Sequence, residues 1–392
     1  MQTFIRLTVK KLEGDHIKLN YWLLPFSWVY ELGVRIRNML FDIGLLKSKS
    51  FDLPVIAVGN ITVGGTGKTP HVEYLVKLLQ DKVRLAVLSR GYKRKTKTFL
   101  IANELSTAND IGDEPYQMKQ KFPKVTVAVD KRRVHGIEEI IANDGETEAI
   151  LLDDAFQHRY VKPGLNILLV DYHRLIIYDK LLPAGRMREP FTSKNRADIV
   201  IVTKCPRSMK PMDYRVITKA MDLYPYQHLF FTTLGYDPLR PVFPEAATAS
   251  AGFAASATQI ADLPKDTHIL LITGIASPIQ MLTDLEEATG TRPMSLSFPD
   301  HHYFRKKDIR LINKTFADMP APKLLVTTEK DAVRLALSEG FTQEVLQQLY
   351  VLPIRVEFML DQQELFNENI IAYVQKYSRN SILDKGKDDV KS

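Results

Sequence analysis

The chain has 392 residues, 45% hydrophobic and 25% charged. At roughly 100–200 residues per domain it is too long for one ordinary domain, and it is too apolar for a disordered or fibrous protein. A single cysteine, Cys205, excludes an intramolecular disulfide and suits a reducing compartment. The 53 Lys and Arg against 46 Asp and Glu give a formal charge of +7; this suits an anionic partner (nucleotide, nucleic acid or acidic lipid) without choosing among them.

Residues 1–18 mix charges of both signs, with no apolar run leading to a small-residue cleavage site, so no secretory leader is expected. The uncharged stretch from Leu19 to Tyr30 is shorter than the about 20 apolar residues that span a bilayer. With Ser27 as an N-cap, a helix would put Trp28, Val29, Leu32, Ile36, Met39, Leu40 and Ile43 on one face, and Glu31, Arg35, Asn38 and Asp42 on the other. Both tryptophans lie here, beside Phe26 and Tyr30, as side chains of a membrane–water interface do. Residues 1–50 carry eight Lys/Arg against four Asp/Glu, a local +4. The pattern by itself fits first a helix packed on the protein's own core, as most such helices are, and as the alternative one lying on an anionic leaflet.

Beyond Leu53, short β-rich runs alternate with helical stretches. Predicted strands are Pro54–Val58, Val83–Ser89, Val125–Val129, Ala149–Leu152, Asn166–Val170 and Asp198–Thr203. Most are continuously apolar, as strands of a parallel sheet covered on both faces are, so the expectation is a doubly wound α/β domain. His228–Leu234 reads as a strand leading into a Pro- and Ala-rich connection, Asp237–Ala255. His268–Thr273, Met294–Phe298 and Lys323–Thr328 then repeat the alternation as a smaller α/β domain. Leu349–Met359 reads as one late strand that pairs with the earlier connecting strand as a two-stranded hinge. The expected boundaries are 1–50 for the amphipathic segment, 51–227 for the main domain and 228–261 for the connector. The smaller lobe follows at 262–345, a returning strand and helix at 346–375 and a flexible tail at 376–392.

The strongest local signal is Val58-Gly59-Asn60-Ile61-Thr62-Val63-Gly64-Gly65-Thr66-Gly67-Lys68-Thr69-Pro70, after an apolar strand and before a helical stretch. That is the context of a phosphate-binding loop. Close glycines let backbone N–H groups turn toward phosphate oxygens, Lys68 supplies a point charge, and the Thr69 hydroxyl suits Mg²⁺. Thr62 stands where the usual motif has glycine. Asp153 and Asp154 end another apolar strand, where such enzymes keep a metal-supporting aspartate. Thr203-Lys204-Cys205-Pro206 lacks the final aspartate of a guanine-reading Asn-Lys-x-Asp, which weakens a GTPase reading. The Lys93-Arg94-Lys95 run is read as a solvated loop; no basic stripe interleaved with aromatics is present, so no nucleic-acid partner is expected. The loop alone leaves three classes open: a small-molecule kinase, a P-loop ATPase or GTPase switch, and a nucleotide-gated binding module.

Together the motifs resemble the tetraacyldisaccharide 4′-kinases. The resemblance lies in Gly59-Asn60-x-Thr62-x-Gly64-Gly65-Thr66-Gly67-Lys68-Thr69-Pro70, Ser89-Arg90-Gly91-Tyr92, Gly112-Asp113-Glu114-Pro115 and Asp153-Asp154-Ala155-Phe156-Gln157-His158. It continues in Leu182-Pro183-Ala184-Gly185-Arg186-Met187-Arg188-Glu189-Pro190, Phe298-Pro299-Asp300-His301-His302-Tyr303 and Thr327-Thr328-Glu329-Lys330-Asp331, and covers about residues 20–360. Ala155 stands where the family usually has glycine.

The resemblance implies a P-loop NTPase-type three-layer α/β/α core, a smaller α/β/α lobe joined by a two-stranded β-ribbon, and an N-terminal amphipathic helix docked on the membrane. It implies transfer of the ATP γ-phosphate, with Mg²⁺, to the 4′-hydroxyl of tetraacyldisaccharide 1-phosphate at the cytoplasmic face of a Gram-negative inner membrane. ATP contacts are expected from Thr62, Val63, Gly64, Gly65, Thr66, Gly67, Lys68 and Thr69, and metal contacts from Thr69, Asp153 and Asp154. Lys68 is expected to act in catalysis, Asp113 as the base and His301 as its partner from the other lobe, so that the lobes close for reaction. Arg90, Gln157, His158, Arg188 and Glu189 are further substrate or phosphate candidates, Arg186 a weaker one, and Glu329-Lys330-Asp331 a structural or interlobe element.

Overall fold

The computed structural model describes residues 19–92, 94–247, 259–275, 278–299 and 302–388. The expectations for residues 1–18, Lys93, His301 and part of the Ala-rich connection lie outside them. The chain forms two compact units: the first runs to Thr233 and resumes at Val356, and the second is Leu234–Arg355.

Among the described residues the first unit holds a nine-stranded sheet in the order β14-β8-β7-β6-β1-β5-β2-β4-β3. Its strands are β1 (Val55–Gly59), β2 (Leu85–Ser89), β3 (Leu100–Ile101), β4 (Thr126–Val129), β5 (Ala149–Asp153), β6 (Leu165–Asp171), β7 (Ile199–Thr203), β8 (His228–Tyr236) and β14 (Ile354–Phe358). The pairs from β4 through β8 are parallel, and the short β3 runs antiparallel at the edge. Alternate residues of β1 feed different cores: Ile56 and Val58 pack with Leu75, Leu79 and Phe366, whereas Val55 and Ala57 pack with Ile137 and Ile140. Helices therefore cover both faces, which is why these strands are apolar throughout. The doubly wound expectation holds, with two-residue strands such as β3 too short to carry a signal.

The second unit has a five-stranded sheet in the order β11-β10-β12-β13-β9. These strands are β9 (Arg240–Pro241), β10 (His268–Thr273), β11 (Met294–Ser297), β12 (Lys323–Thr327) and β13 (Leu349–Val351). Ile269 and Leu271 face one core, Leu270 and Ile272 the other. This unit is wider than the expected 262–345 at both ends. The stretch expected as connection contains β9, which pairs antiparallel with β13.

The expected single strand Leu349–Met359 is broken at Leu352-Pro353 into β13 and β14, in different sheets, because proline cannot continue a ladder. The expected two-stranded ribbon is the β8–β14 pair at the edge of the large sheet, and the chain passes between units inside both strands. The tail expected to be flexible from residue 376 continues a helix, Gln363–Asp388, anchored by Phe366, Ile370 and Val374 in the main core.

The amphipathic helix spans Leu24–Asp42, a turn earlier than a Ser27 cap requires, with Pro25 in its first turn. Ser27 is buried instead: its hydroxyl donates to Leu181 O at 3.0 Å and accepts from Ala184 N at 3.0 Å. The helix is docked through Ser27, Tyr30, Arg37 and the buried Phe41, which packs on Tyr160, while Arg35 and Asp42 of the expected polar face stay exposed. Trp22, Phe26, Trp28, Val29, Leu32, Ile36 and Met39 remain exposed, Trp22 at 93%. No described helix is long and apolar enough to cross a membrane.

Candidate active site

The site is built at the C-terminal ends of the central strands. β1 ends in Gly59, and pairing of Val58 with Asp153 brings the end of β5 alongside. A Cβ on Gly59 would lie 2.7 Å from the Phe156 backbone nitrogen, so only glycine lets the Asp153–Phe156 turn close over the loop. Gly67 has φ 81°, a left-handed conformation from which the helix Lys68–Leu79 departs.

The loop is braced on two sides. Thr62 pairs with Met187 in an antiparallel bridge, with Val63 N donating to Arg186 O and Arg188 N to Ile61 O, both at 2.7 Å. The Val63 amide, expected as an ATP contact, is thus spent within the protein, and the open part of the loop begins at Gly64. On the other side the Thr203 hydroxyl donates to Thr66 O at 3.0 Å. The Lys204 ammonium bonds the Gly65 carbonyl and, at 2.8 Å, Asp171 Oδ2. Beneath the loop, the His71 ring bridges Gly67 O (2.7 Å) and the Thr232 hydroxyl (3.1 Å), and burial lowers its pKa to about 4.

Charge converges on the acidic pair. Lys68 Nζ lies 3.5 Å from Asp154 Oδ1, and Arg188 Nη1 lies 3.8 Å from Asp154 Oδ2. Asp154 has φ 49°, uncommon for a residue with a side chain and frequent at functional turns. Asp153 is 6% exposed; its Oδ2 accepts from Ser89 Oγ at 3.2 Å, while Oδ1 is buried without a hydrogen-bond partner. Burial, with Glu114 and Asp154 nearby, holds the Asp153 carboxyl well above the usual carboxylate range. Arg133, itself buried, donates to the Asp153 carbonyl at 2.9 Å, and burial lowers its pKa to about 10.

A buried carboxylate oxygen with no donor is a place for a cation. Mg²⁺ takes one or two protein ligands beside phosphates and water. Among the described residues no cluster of three or more His, Cys, Asp or Glu could hold a metal; Asp153, with its unpartnered Oδ1, and Asp154 are the carboxylates that could share a cation with phosphates and water.

Of the expected residues, Lys68, Asp153, Asp154 and Arg188 come together directly. Gln157 bonds the Asn60 carbonyl with its side-chain amide. Burial, then Arg133 and Arg90, lowers the His158 pKa to about 4, which brings Arg90 into the same field. Asp113 is half-buried and begins the helix Asp113–Lys121. A Cβ on the preceding Gly112 would lie 3.0 Å from Tyr92 O, so the Arg90-Gly91-Tyr92 and Gly112-Asp113 motifs pack on one another. His301 lies outside the described residues. Glu189, expected against substrate, is 1% exposed and paired with Arg196 at 2.6 Å, so it holds its own loop rather than a ligand. Ser89, Glu114, Arg133, Thr203 and Lys204 are not among the expected site residues, although Ser89 and Glu114 lie in the motifs that carry the resemblance; Ser89, Thr203 and Lys204 also stand at C-terminal strand ends.

Topology and loop together place the protein among the P-loop phosphate-transfer folds. The Tetraacyldisaccharide-1-P 4'-kinase family matches residues 19–375. The chain is 56% identical over 373 residues to a Tetraacyldisaccharide 4'-kinase of Phocaeicola vulgatus, covering 94% of this chain and 99% of that one. It is 53% identical over 376 residues to one of Bacteroides thetaiotaomicron, covering 94% and 97%. A crystal structure of LpxK from Aquifex aeolicus in complex with ATP superposes with a TM-score of 0.64 at 30% identity, over 90% of this chain and 98% of that one. The chain belongs to the tetraacyldisaccharide 4′-kinase family, and it is a kinase.

Proposed function

We propose that the protein transfers the γ-phosphoryl group of ATP to the 4′-hydroxyl of tetraacyldisaccharide 1-phosphate, working from the cytoplasmic face of the inner membrane. The observation that carries this reading is the Lys68–Asp154–Arg188 cluster at the mouth of the glycine loop, beside the unpartnered Asp153 oxygen. Phosphoryl transfer needs charge neutralisation, alignment and a proton acceptor, and little covalent chemistry from the protein.

In this reading the loop from Gly64 to Thr69 cradles the triphosphate, and Lys68 and Arg188 neutralise it. Thr69, Asp153 and Asp154 would hold Mg²⁺, which would supply charge withdrawal from the phosphates. Asp154 holds the two cations in place until phosphate oxygens compete for them. Asp113, the first residue of the helix Asp113–Lys121, takes the hydroxyl proton as general base.

The outward apolar face of Leu24–Asp42 supports docking at a lipid surface, where an acylated disaccharide resides. A hydrophobic face left in water along a helix that is already docked on the protein calls for an apolar medium. The test is the fate of labelled γ-phosphate. Label on the disaccharide supports the reading; release only as inorganic phosphate, or no turnover, replaces it with a hydrolase or a binding module.

A further inference from the structure

The side of Leu24–Asp42 turned toward the protein ends at the backbone of the segments that carry the site. The Tyr30 hydroxyl donates to Arg188 O at 3.0 Å. Arg37 Nη2 donates to Gln157 O at 2.9 Å, and its Nη1 lies 3.8 Å from Glu189 Oε1, a buried oxygen with no hydrogen bond. Each held residue acts inward in turn: Arg188 pairs with Asp154, and its amide bonds Ile61 O, while the Gln157 side chain bonds Asn60 O. Two short paths therefore run from the helix to the phosphate loop, each through one residue.

We propose that Arg37 and Tyr30 are positioning residues for phosphoryl transfer: the helix that meets the lipid also sets the placement of Arg188 and Gln157 against the loop. A residue that acts only in anchoring would face outward, as Trp28 and Leu32 do. Arg37 instead spends two guanidinium nitrogens on different segments, a bridge that a lysine point charge cannot reproduce. Misplacement of phosphate-binding groups by about 1 Å costs on the order of 100-fold in rate, so loosening the bridge falls on kcat.

The proposal rests on the kinase reading, and the test separates the two. The full chain is assayed in detergent micelles at saturating acylated disaccharide, where bilayer anchoring no longer limits turnover. Arg37→Gln is expected to lower kcat roughly 10- to 100-fold, with both KM values within about twofold. Its co-sedimentation with phosphatidylglycerol vesicles stays at the wild-type level. Arg37→Lys falls between, and Tyr30→Phe, which removes only a hydroxyl, lowers kcat several-fold and serves if Arg37→Gln does not fold. Trp28→Glu with Leu32→Glu is expected to do the reverse, losing the vesicles while keeping kcat in micelles. Wild-type kcat in R37Q and Y30F, or a loss confined to KM and vesicle binding, overturns the proposal. Absence of turnover in the wild type overturns the kinase reading instead.

Discussion

Both units end a central parallel strand in a glycine that lets an acidic residue or its turn approach closely, and the two acidic residues differ in one respect. In the second unit Gly274 follows β10; a Cβ there would lie 2.9 Å from Asp331 Oδ1. Asp331 Oδ2 accepts from Gly274 N at 2.9 Å and from the Thr328 hydroxyl at 2.7 Å. That carboxylate is satisfied by its own fold, and Thr328 caps the helix Glu329–Leu335. In the first unit Gly59 admits the turn after Asp153, whose Oδ1 is left without a donor while Asp154 is held in a left-handed conformation between two cations. The same device builds a structural joint in one unit and, in the other, the cluster proposed to handle phosphate. A buried polar atom left unsatisfied is the difference, since leaving one costs about 1–3 kcal/mol and persists where it serves something else.

That comparison can be broken in several ways. Lys68→Ala is expected to reduce kcat by about 10³-fold or more, with a thermal midpoint near the wild type. A folded, fully active K68A would mean that the first cluster is as structural as the second. Trp28→Glu with Leu32→Glu should abolish most vesicle association, measured by sedimentation, because charge on the exposed apolar face opposes insertion. Asp331→Ala should leave catalytic residues in place but cost about 2–3 kcal/mol in denaturant unfolding, since the buried Gly274 amide loses its acceptor. A loss of kcat without a loss of stability would mark Asp331 as more than a joint.

The smallest effect is in pH. Burial raises the Asp153 pKa, so between the ordinary carboxylate range and that raised value the folded protein keeps a proton that the unfolded chain has lost. Its contribution to stability is therefore present at low pH and falls as pH rises across that window. Asp153→Asn should remove this component, seen as a flatter thermal midpoint between about pH 4 and 7. An unchanged profile would say that Asp153 is already satisfied, and the contrast with Asp331 would disappear.

The strands and the loop were legible because each combines an apolar run with punctuation at its end: Gly59 closing β1, Asp153-Asp154 at the end of β5, Gly67-Lys68-Thr69 at the start of a helix. What sequence reading missed depends on register or on distant partners. Ser89 joins the site because β2 lies beside β5, and Lys204 because its strand end reaches the Gly65 carbonyl. Glu189 is expected at the site because the Leu182–Pro190 motif of the resemblance contains it, yet alternate sides of that short segment face the cluster and the interior. The helix Leu24–Asp42 had the right periodicity and the wrong start, since Ser27 finds its partners at Leu181 and Ala184, more than 150 residues away. Periodicity also could not say which face turns inward; the long-range bonds of Tyr30 and Arg37 decide that.

The most direct measurement follows the γ-phosphate itself. Wild type and K68A are incubated with γ-labelled ATP, Mg²⁺ and tetraacyldisaccharide 1-phosphate, and the label is located. The account predicts label on the 4′-oxygen of the disaccharide with the wild type and almost none with K68A. Label released as inorganic phosphate with the acceptor untouched, or equal transfer by both proteins, would contradict it.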